Sequence, residues 1–239
     1  MNYGRFASYE EFLNELTLFH GKPAPGGVLA LHMVNMAWEV FPKDVLMDVI
    51  CETRKCLADT IQLLTPCTVG NHWLKIVDTG RFAGVFYDKQ TGEGVRISLS
   101  MERLKLWPRV EEWYLKLTPK HEQSLQAILD EINEAGAELF DMVEVTVKPE
   151  VLKVRPMVPP VFCPICGEAY PPDHGPICRG CAGLTDSYYR SRTPAAAGAG
   201  IEDQRGRFRQ ILCAVNADHG RDLPDARPCE EILWRLQGE

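Results

Sequence analysis

The chain reads as an α+β protein followed by a small cysteine-rich module. Three observations predict this. Helical spacing dominates the first 41 residues, and β-branched runs separated by turn residues fill the middle. Helical spacing returns near residue 100. Four cysteines then fall in two matched pairs between residues 163 and 181. Helices, then hairpins, then helices is an α+β order. The expected organisation is a mixed helix and antiparallel-sheet domain over 1–150, a four-cysteine, zinc-ribbon-like module over 151–190, and a flexible linker with a C-terminal tail over 191–239.

Each element has a local cause. Ser8 and Glu11 form a capping-box pattern ahead of Phe12, Leu13, Leu16 and Phe19, and Gly21 ends that helix. Lys22-Pro23-Ala24-Pro25-Gly26-Gly27 is a rigid turn. A second helix starts near Pro25 or Gly26, runs to Phe41 and stops at Pro42. It is apolar on most sides, so it is buried, and His32, Asn35 and Glu39 form its one polar stripe, read as solvent-facing. Val45 to Glu52 reads as a strand, Lys55 to Leu64 as a helix, and Trp73 to Val77 as a strand. Arg81 to Tyr87 and Glu93 to Leu99 are strands joined by a hairpin loop, Asp88 to Gly92. Helices follow at Ser100 to Leu106, Arg109 to Leu117 and Pro119 to Ala135, the last capped by Thr118. Met142 to Val147 is the final strand, and the proline-rich 148–160 is an extended connector. A small-residue linker runs from Thr193 to Gly200, and a tail helix from Cys229 to Leu236.

Cys163-Pro164-Ile165-Cys166 and Cys178-Arg179-Gly180-Cys181 are separated by eleven residues that include Pro171, Pro172 and Pro176. Each pair makes a tight turn, with Gly167 and Gly180 expected to supply the backbone freedom. Two disulfides or two redox pairs would use the same residues. The matched spacing and the absence of a secretory pattern favour four thiolates on one tetrahedral Zn²⁺.

Composition bounds the rest. With 239 residues and 45% hydrophobic content, one main domain plus a small module is natural. A net charge of −7 argues against bulk nucleic-acid binding and against an anionic membrane surface. Nine cysteines and a polar start, Met1 to Glu10, point to a reducing cytoplasm. The most apolar run is interrupted by His32, Asn35 and Glu39, so no transmembrane helix is read.

Several residues could carry chemistry. His20 flanks a tight turn, as a ligand or as a histidine bonded to backbone. Cys67, at the mouth of a loop, is a thiolate ligand, a nucleophile or a small buried group, while Cys51 and Cys56 lean towards core. Gly26 and Gly27 start a helix beside Lys22, an arrangement that suits an anion as well as close helix packing. Arg179, Arg190, Arg192, Arg205, Arg207 and Arg209 stand against Asp186, Glu202 and Asp203, a local excess of three positive charges. That patch keeps open a nucleic-acid-binding or regulatory reading.

Phe19-His20-Gly21-Lys22-Pro23-Ala24-Pro25-Gly26 is similar to the His-Gly-His-x-Cys-Pro-Gly signature of the E-subunit family of molybdenum or tungsten formylmethanofuran dehydrogenase. The resemblance continues through Glu52-Thr53-Arg54-Lys55-Cys56 with Asp59, Cys67-Thr68-Val69-Gly70-Asn71, and Phe86 to Arg96. Many relatives carry a four-cysteine zinc module as well. The resemblance implies an α+β domain, often dimeric, from anaerobic organisms, with an accessory or metal-handling role beside molybdenum or tungsten enzyme components. The second histidine of the signature is Lys22 here and its cysteine is Ala24. What remains for a second metal or a small ligand is His20 with Cys67, completed by Cys56 or His72.

The expectation is therefore a cytoplasmic, homodimeric zinc-binding accessory protein with a ligand pocket in its N-terminal domain. With two metal-type side chains gone, that pocket is expected to favour an anionic or carbonyl-bearing ligand, held by Lys22, Gly26 and Gly27. The alternatives are a nucleic-acid-binding zinc-module protein and a thiol-dependent enzyme using Cys67.

Overall fold

The computed structural model describes residues 1–42, 45–153 and 158–184. The chain divides into two compact units, Met1–Val154 and Arg155–Glu239, and each is taken by itself. The expected linker, the tail helix and most of the arginine-rich stretch lie outside the described residues. Among the described residues no helix is long and apolar enough to cross a membrane.

In the first unit, α1 spans Tyr9–His20. The Ser8 hydroxyl accepts the Glu11 N–H at 3.2 Å, and the Glu11 carboxylate accepts the Ala7 N–H at 2.7 Å. Gly21 closes the helix at φ 82°, where the space for a side chain is open but the left-handed backbone favours glycine. The turn that follows is short because Pro25 sits at the first position of α2, Pro25–Val40. A Cβ on Gly27 would collide with the Leu16 methyl groups, so glycine here lets α2 lie directly on α1.

The sheet has the order β2-β1-β3-β4-β5. Its strands are β1 Met47–Cys51, β2 Leu74–Ile76, β3 Ala83–Asp88, β4 Glu93–Leu99 and β5 Phe140–Thr146. β1 and β2 are parallel, joined through α3, Cys56–Leu64, and every other pair is antiparallel. The β3–β4 loop closes as expected: the Gly92 N–H donates to the Asp88 carbonyl at 2.8 Å with Gly92 at φ 79°. Val28, Leu29, Leu31 and Met33 of α2, Leu57 and Ile61 of α3, and Phe86 and Ile97 of the sheet share one core.

Three local expectations give way. His32 is buried at 3% exposure, with Nε2 3.2 Å from the Asn133 Oδ1, so the polar stripe of α2 is not a solvent face along its length. The helix expected from Pro119 is a 3-10 turn at Lys120–Glu122, then α6 at Leu125–Ala135. Ser124 is the cap, its hydroxyl accepting the Ala127 N–H at 3.3 Å, while the Gln123 amide binds the carbonyl and hydroxyl of Thr118. Between β4 and that turn lie α4 at Met101–Leu104 and α5 at Pro108–Leu115. The connector is not wholly extended, since Pro149–Leu152 forms one helical turn, α7.

The described residues of the second unit form a small hairpin, β6 Val161–Phe162 with β7 Ala169–Tyr170. Among them the buried apolar cluster is Cys163, Tyr170 and Ile177. So few apolar side chains give this four-cysteine stretch little core of its own.

Candidate functional site

Both thiol regions are built by turns. In the small module the Gly167 N–H donates to the Cys163 carbonyl at 2.8 Å, with Gly167 at φ 77°. Gly180, expected to do the same, does not take a left-handed φ. The second pair is turned instead by the Ala182 N–H bonding the Cys178 carbonyl at 2.9 Å, with Gly183 at φ 66°. The Tyr170 hydroxyl, donating to the Gly175 carbonyl at 2.8 Å, holds the intervening loop.

The sulfurs of Cys163, Cys166, Cys178 and Cys181 lie within 4.8 Å of one another, and those of Cys166 and Cys178 are 3.8 Å apart. A tetrahedron with Zn–S bonds of ~2.3 Å has S···S edges of about 3.8 Å, so the donors fit zinc in number, type and spacing. Burial opposes ionisation of Cys163, but backbone N–H donors at Cys166, Cys178 and Ile165 outweigh it and bring that thiol down to about 6. Burial, then the neighbouring sulfurs, push Cys181 the other way. Thiols so close cannot all ionise without a cation between them, which is what zinc supplies. The module is a structural zinc site.

In the N-terminal domain the turn after β1 is fixed by charge. Arg96 binds both Glu52 oxygens, at 2.6 and 3.0 Å, and Arg81 Nε lies 3.1 Å from the same carboxylate. The hydrogen bond from Arg96 holds Glu52 below the usual carboxylate range, despite burial. Directly after this turn α3 begins at Cys56. The end of α1 meets this start: His20 Nε2 is 3.7 Å from Cys56 Sγ, and His20 Nδ1 is 2.6 Å from Asp59 Oδ2. With the Nδ1 proton donated to Asp59, Nε2 faces the thiol as an acceptor. The His20 side chain is 18% exposed and that of Asp59 30%. A Cβ on Gly26 would sit 3.1 Å from Cys56 Sγ, so the first turns of α2 and α3 converge on one sulfur. Burial pushes the Cys56 thiol up, opposed by its own helix-start N–H and by Lys22.

A cavity of about 780 Å³ opens beside this cluster. Lys22, Trp113, Lys116 and Lys120 line it with His20 and Cys56, and among the described residues no carboxylate lines it. Lys116 stands in the left-handed region at φ 57°, one of two non-glycine residues to do so among those described. A flexible cationic side chain is carried there at a position that suits glycine.

The sequence paired His20 with Cys67, and the fold pairs it with Cys56. Cys67 is fully buried and its thiol donates to the Met47 carbonyl at 3.0 Å, with burial raising it to about 11. His72 is exposed in the turn before β2 at φ 64°. Neither lines the cavity. Among the described residues the only three or more metal-type side chains whose ligand atoms all lie within 4.8 Å of one another are the four cysteines of the small module. Gly26 lines the cavity, but the Gly27 N–H is spent on the Ala24 carbonyl at 2.8 Å, so it is not free for an anion. No sequence signal pointed to Trp113, Lys116 or Lys120. They reach the pocket only through the packing of α5 and the loop before α6.

Fold and site together define a two-part protein, an α+β pocket domain joined in sequence to a four-thiolate zinc finger. Residues 19–147 match the family model described as FmdE, molybdenum formylmethanofuran dehydrogenase operon, and residues 156–190 match the FmdE treble-clef zinc finger. The chain belongs to the FmdE family. A crystal structure of a tungsten formylmethanofuran dehydrogenase FmdE-like protein from Syntrophus aciditrophicus is 43% identical, with a TM-score of 0.68 over 80% of this chain and 100% of that one. A probable S-adenosyl-L-methionine-binding protein of Archaeoglobus fulgidus is 29% identical over 215 residues, 81% of this chain. The chain spans 56% of that relative's length.

Proposed function

We infer that this protein is an accessory zinc-finger protein whose N-terminal pocket binds a small anionic ligand. The observation that supports the reading is the sign of the pocket. Among the described residues three lysines and no carboxylate line it, on a chain whose net charge is −7. A local cationic cavity on an acidic protein concentrates anions. Trp113 adds a flat apolar wall, and Gly26 brings the start of α2 to the same surface. The archaeal relative's name speaks of S-adenosyl-L-methionine, a sulfonium. Three lysines repel such a cation, so an anion is the better match here.

The accessory role beside molybdenum or tungsten enzyme components, in the cytoplasm of an anaerobe, rests on family membership. So does a homodimer built through the N-terminal domain, to which exposed Leu18 and Phe19 on α1 offer apolar surface.

Thermal-shift and calorimetric titrations of the full chain test the ligand class. Phosphonoacetate, an anion with a carbonyl that cannot acylate, should bind, and inorganic phosphate more weakly. Lys116→Ala with Lys120→Ala should weaken both at least tenfold. Tighter binding of S-adenosylmethionine than of either anion, unaffected by the lysine changes, would refute the reading.

A further inference from the structure

The Cys56, His20 and Asp59 side chains are used by nothing described so far. They meet in an order that has chemical meaning: a thiol, an imidazole nitrogen 3.7 Å from it, and a carboxylate 2.6 Å from the other nitrogen. A nucleophile, a base and a group that orients the base are the parts of nucleophilic acyl transfer. Four further observations agree. The thiol stands at the start of α3 and against the first turn of α2, so two helix N-termini face it. It lies on the cavity wall, where a substrate can reach it. Lys22 acts on it favourably from the same wall. Cys51 and Cys67, with neither imidazole nor cavity, donate their protons to backbone carbonyls of Thr53 and Met47 instead.

We propose that Cys56 is an acyl-accepting nucleophile, with His20 as its base and Asp59 as the residue that positions His20, acting on small activated acyl groups carried by an anionic leaving group such as phosphate. The proposal rests on the anionic-ligand reading of the pocket. Its chemistry balances with water as the only co-reactant. Cys56 Sγ bonds to the acyl carbon while His20 Nε2 takes the thiol proton. The bond from the acyl carbon to the leaving oxygen breaks, and the proton passes from His20 to the departing phosphate. The thioester is then hydrolysed: the water oxygen bonds to the acyl carbon, the carbon–sulfur bond breaks, and a proton from the water returns to Sγ through His20. Lys116 and Lys120, on the cavity wall, serve the leaving group's charge.

The charged and titratable groups around the thiol are His20, Asp59, Lys22 and Lys55. Burial keeps the free thiol largely protonated, so its reactivity depends on transfer to His20 rather than on spontaneous ionisation. That dependence is measurable.

The zinc-loaded full chain is exposed to acetyl phosphate, and separately to neutral p-nitrophenyl acetate, and acetylated cysteines are located by peptide mass spectrometry. Cys56 should be acetylated at least tenfold faster than Cys51 or Cys67, and acetyl phosphate should lose its advantage in Lys116→Ala with Lys120→Ala. His20→Asn should slow Cys56 at least tenfold. Asp59→Asn should slow it less and flatten its pH profile, and Asp59→Glu should restore most of the rate. Acetylation of Cys56 no faster than of the buried cysteines overturns the proposal, as does an unchanged rate in a His20→Asn protein that keeps the native melting transition. If phosphonoacetate still binds in either case, the pocket reading stands and only the acyl chemistry falls. If phosphonoacetate does not bind, the pocket reading has failed first.

Discussion

The two sets of thiols in this molecule are organised by opposite means. In the zinc finger the four cysteines lie within nineteen residues, and their spacing with the local turns brings the sulfurs within 4.8 Å. In the N-terminal domain Cys51, Cys56 and Cys67 lie within seventeen residues, yet they point to three different places. One bonds the Thr53 carbonyl, one meets His20, and one bonds the Met47 carbonyl. Closeness in sequence makes a site only when a local turn aims the side chains together. Where a helix and strands intervene, packing decides which thiol meets a partner.

The largest effect should come from removing one zinc ligand. Cys178→Ser leaves three thiolates in a module with almost no core, and structural zinc is worth ~10–16 kcal/mol in such small units. Bound zinc, measured by elemental analysis, should fall from one per chain to near zero, while the melting transition of the N-terminal domain persists. A full zinc complement in this variant would break the contrast at its firmest point.

Next comes the buried ion pair that fixes the turn before Cys56. Arg96→Met leaves Glu52, whose side chain is 9% exposed, with only Arg81 and the Thr79 hydroxyl. Removing one partner of a buried pair costs about 3–5 kcal/mol, readable as a lowered urea midpoint. Because Glu52 is held below its usual range, its contribution is present above the unfolded carboxylate value and lost as the pH falls through the folded one. Acid sensitivity in that window should therefore shrink in Arg96→Met.

The buried thiols give a smaller, opposite pH signature. Cys51 and Cys67 sit at about 11 in the fold against 9.0 for a free thiol. Between those values the unfolded chain has released protons that the folded one still holds, so stability should decline as the pH rises from about 9 to 11. Cys51→Ala with Cys67→Ala should flatten that part of the curve. A Cys56→Ala protein serves as the reference, and a slope that vanishes there instead would reverse the assignment of inert and reactive thiols.

The gentlest probe is Gly26→Ala. The new methyl would lie 3.1 Å from Cys56 Sγ and 3.2 Å from its Cβ, so the sulfur must shift by a few tenths of an ångström. Crowding of this kind costs about 1 kcal/mol. Alkylation of Cys56 by iodoacetamide should change several-fold while Cys67 stays inert; no change in either would mean that the thiol has room the fold does not suggest.

The sequence by itself determined what depends on neighbours in the chain. The capped start of α1, its end at Gly21, the proline start of α2 and the Asp88–Gly92 hairpin follow from residues within a few positions of one another, and the four-cysteine cluster from two such pairs within nineteen residues. Even there, competing local signals misled: Thr118 and Pro119 looked like a helix start, but Ser124 supplies the cap. Tertiary structure alone decided the pocket. His20 and Cys56 are 36 positions apart and meet because Gly27 lets α2 settle onto Leu16 of α1, while Glu52 is clamped by Arg96 from β4. Trp113, Lys116 and Lys120 arrive from beyond the sheet, carried by α5 and the loop after it. No spacing rule encodes such a meeting, since it depends on which helix faces pack and on how far glycine lets them approach.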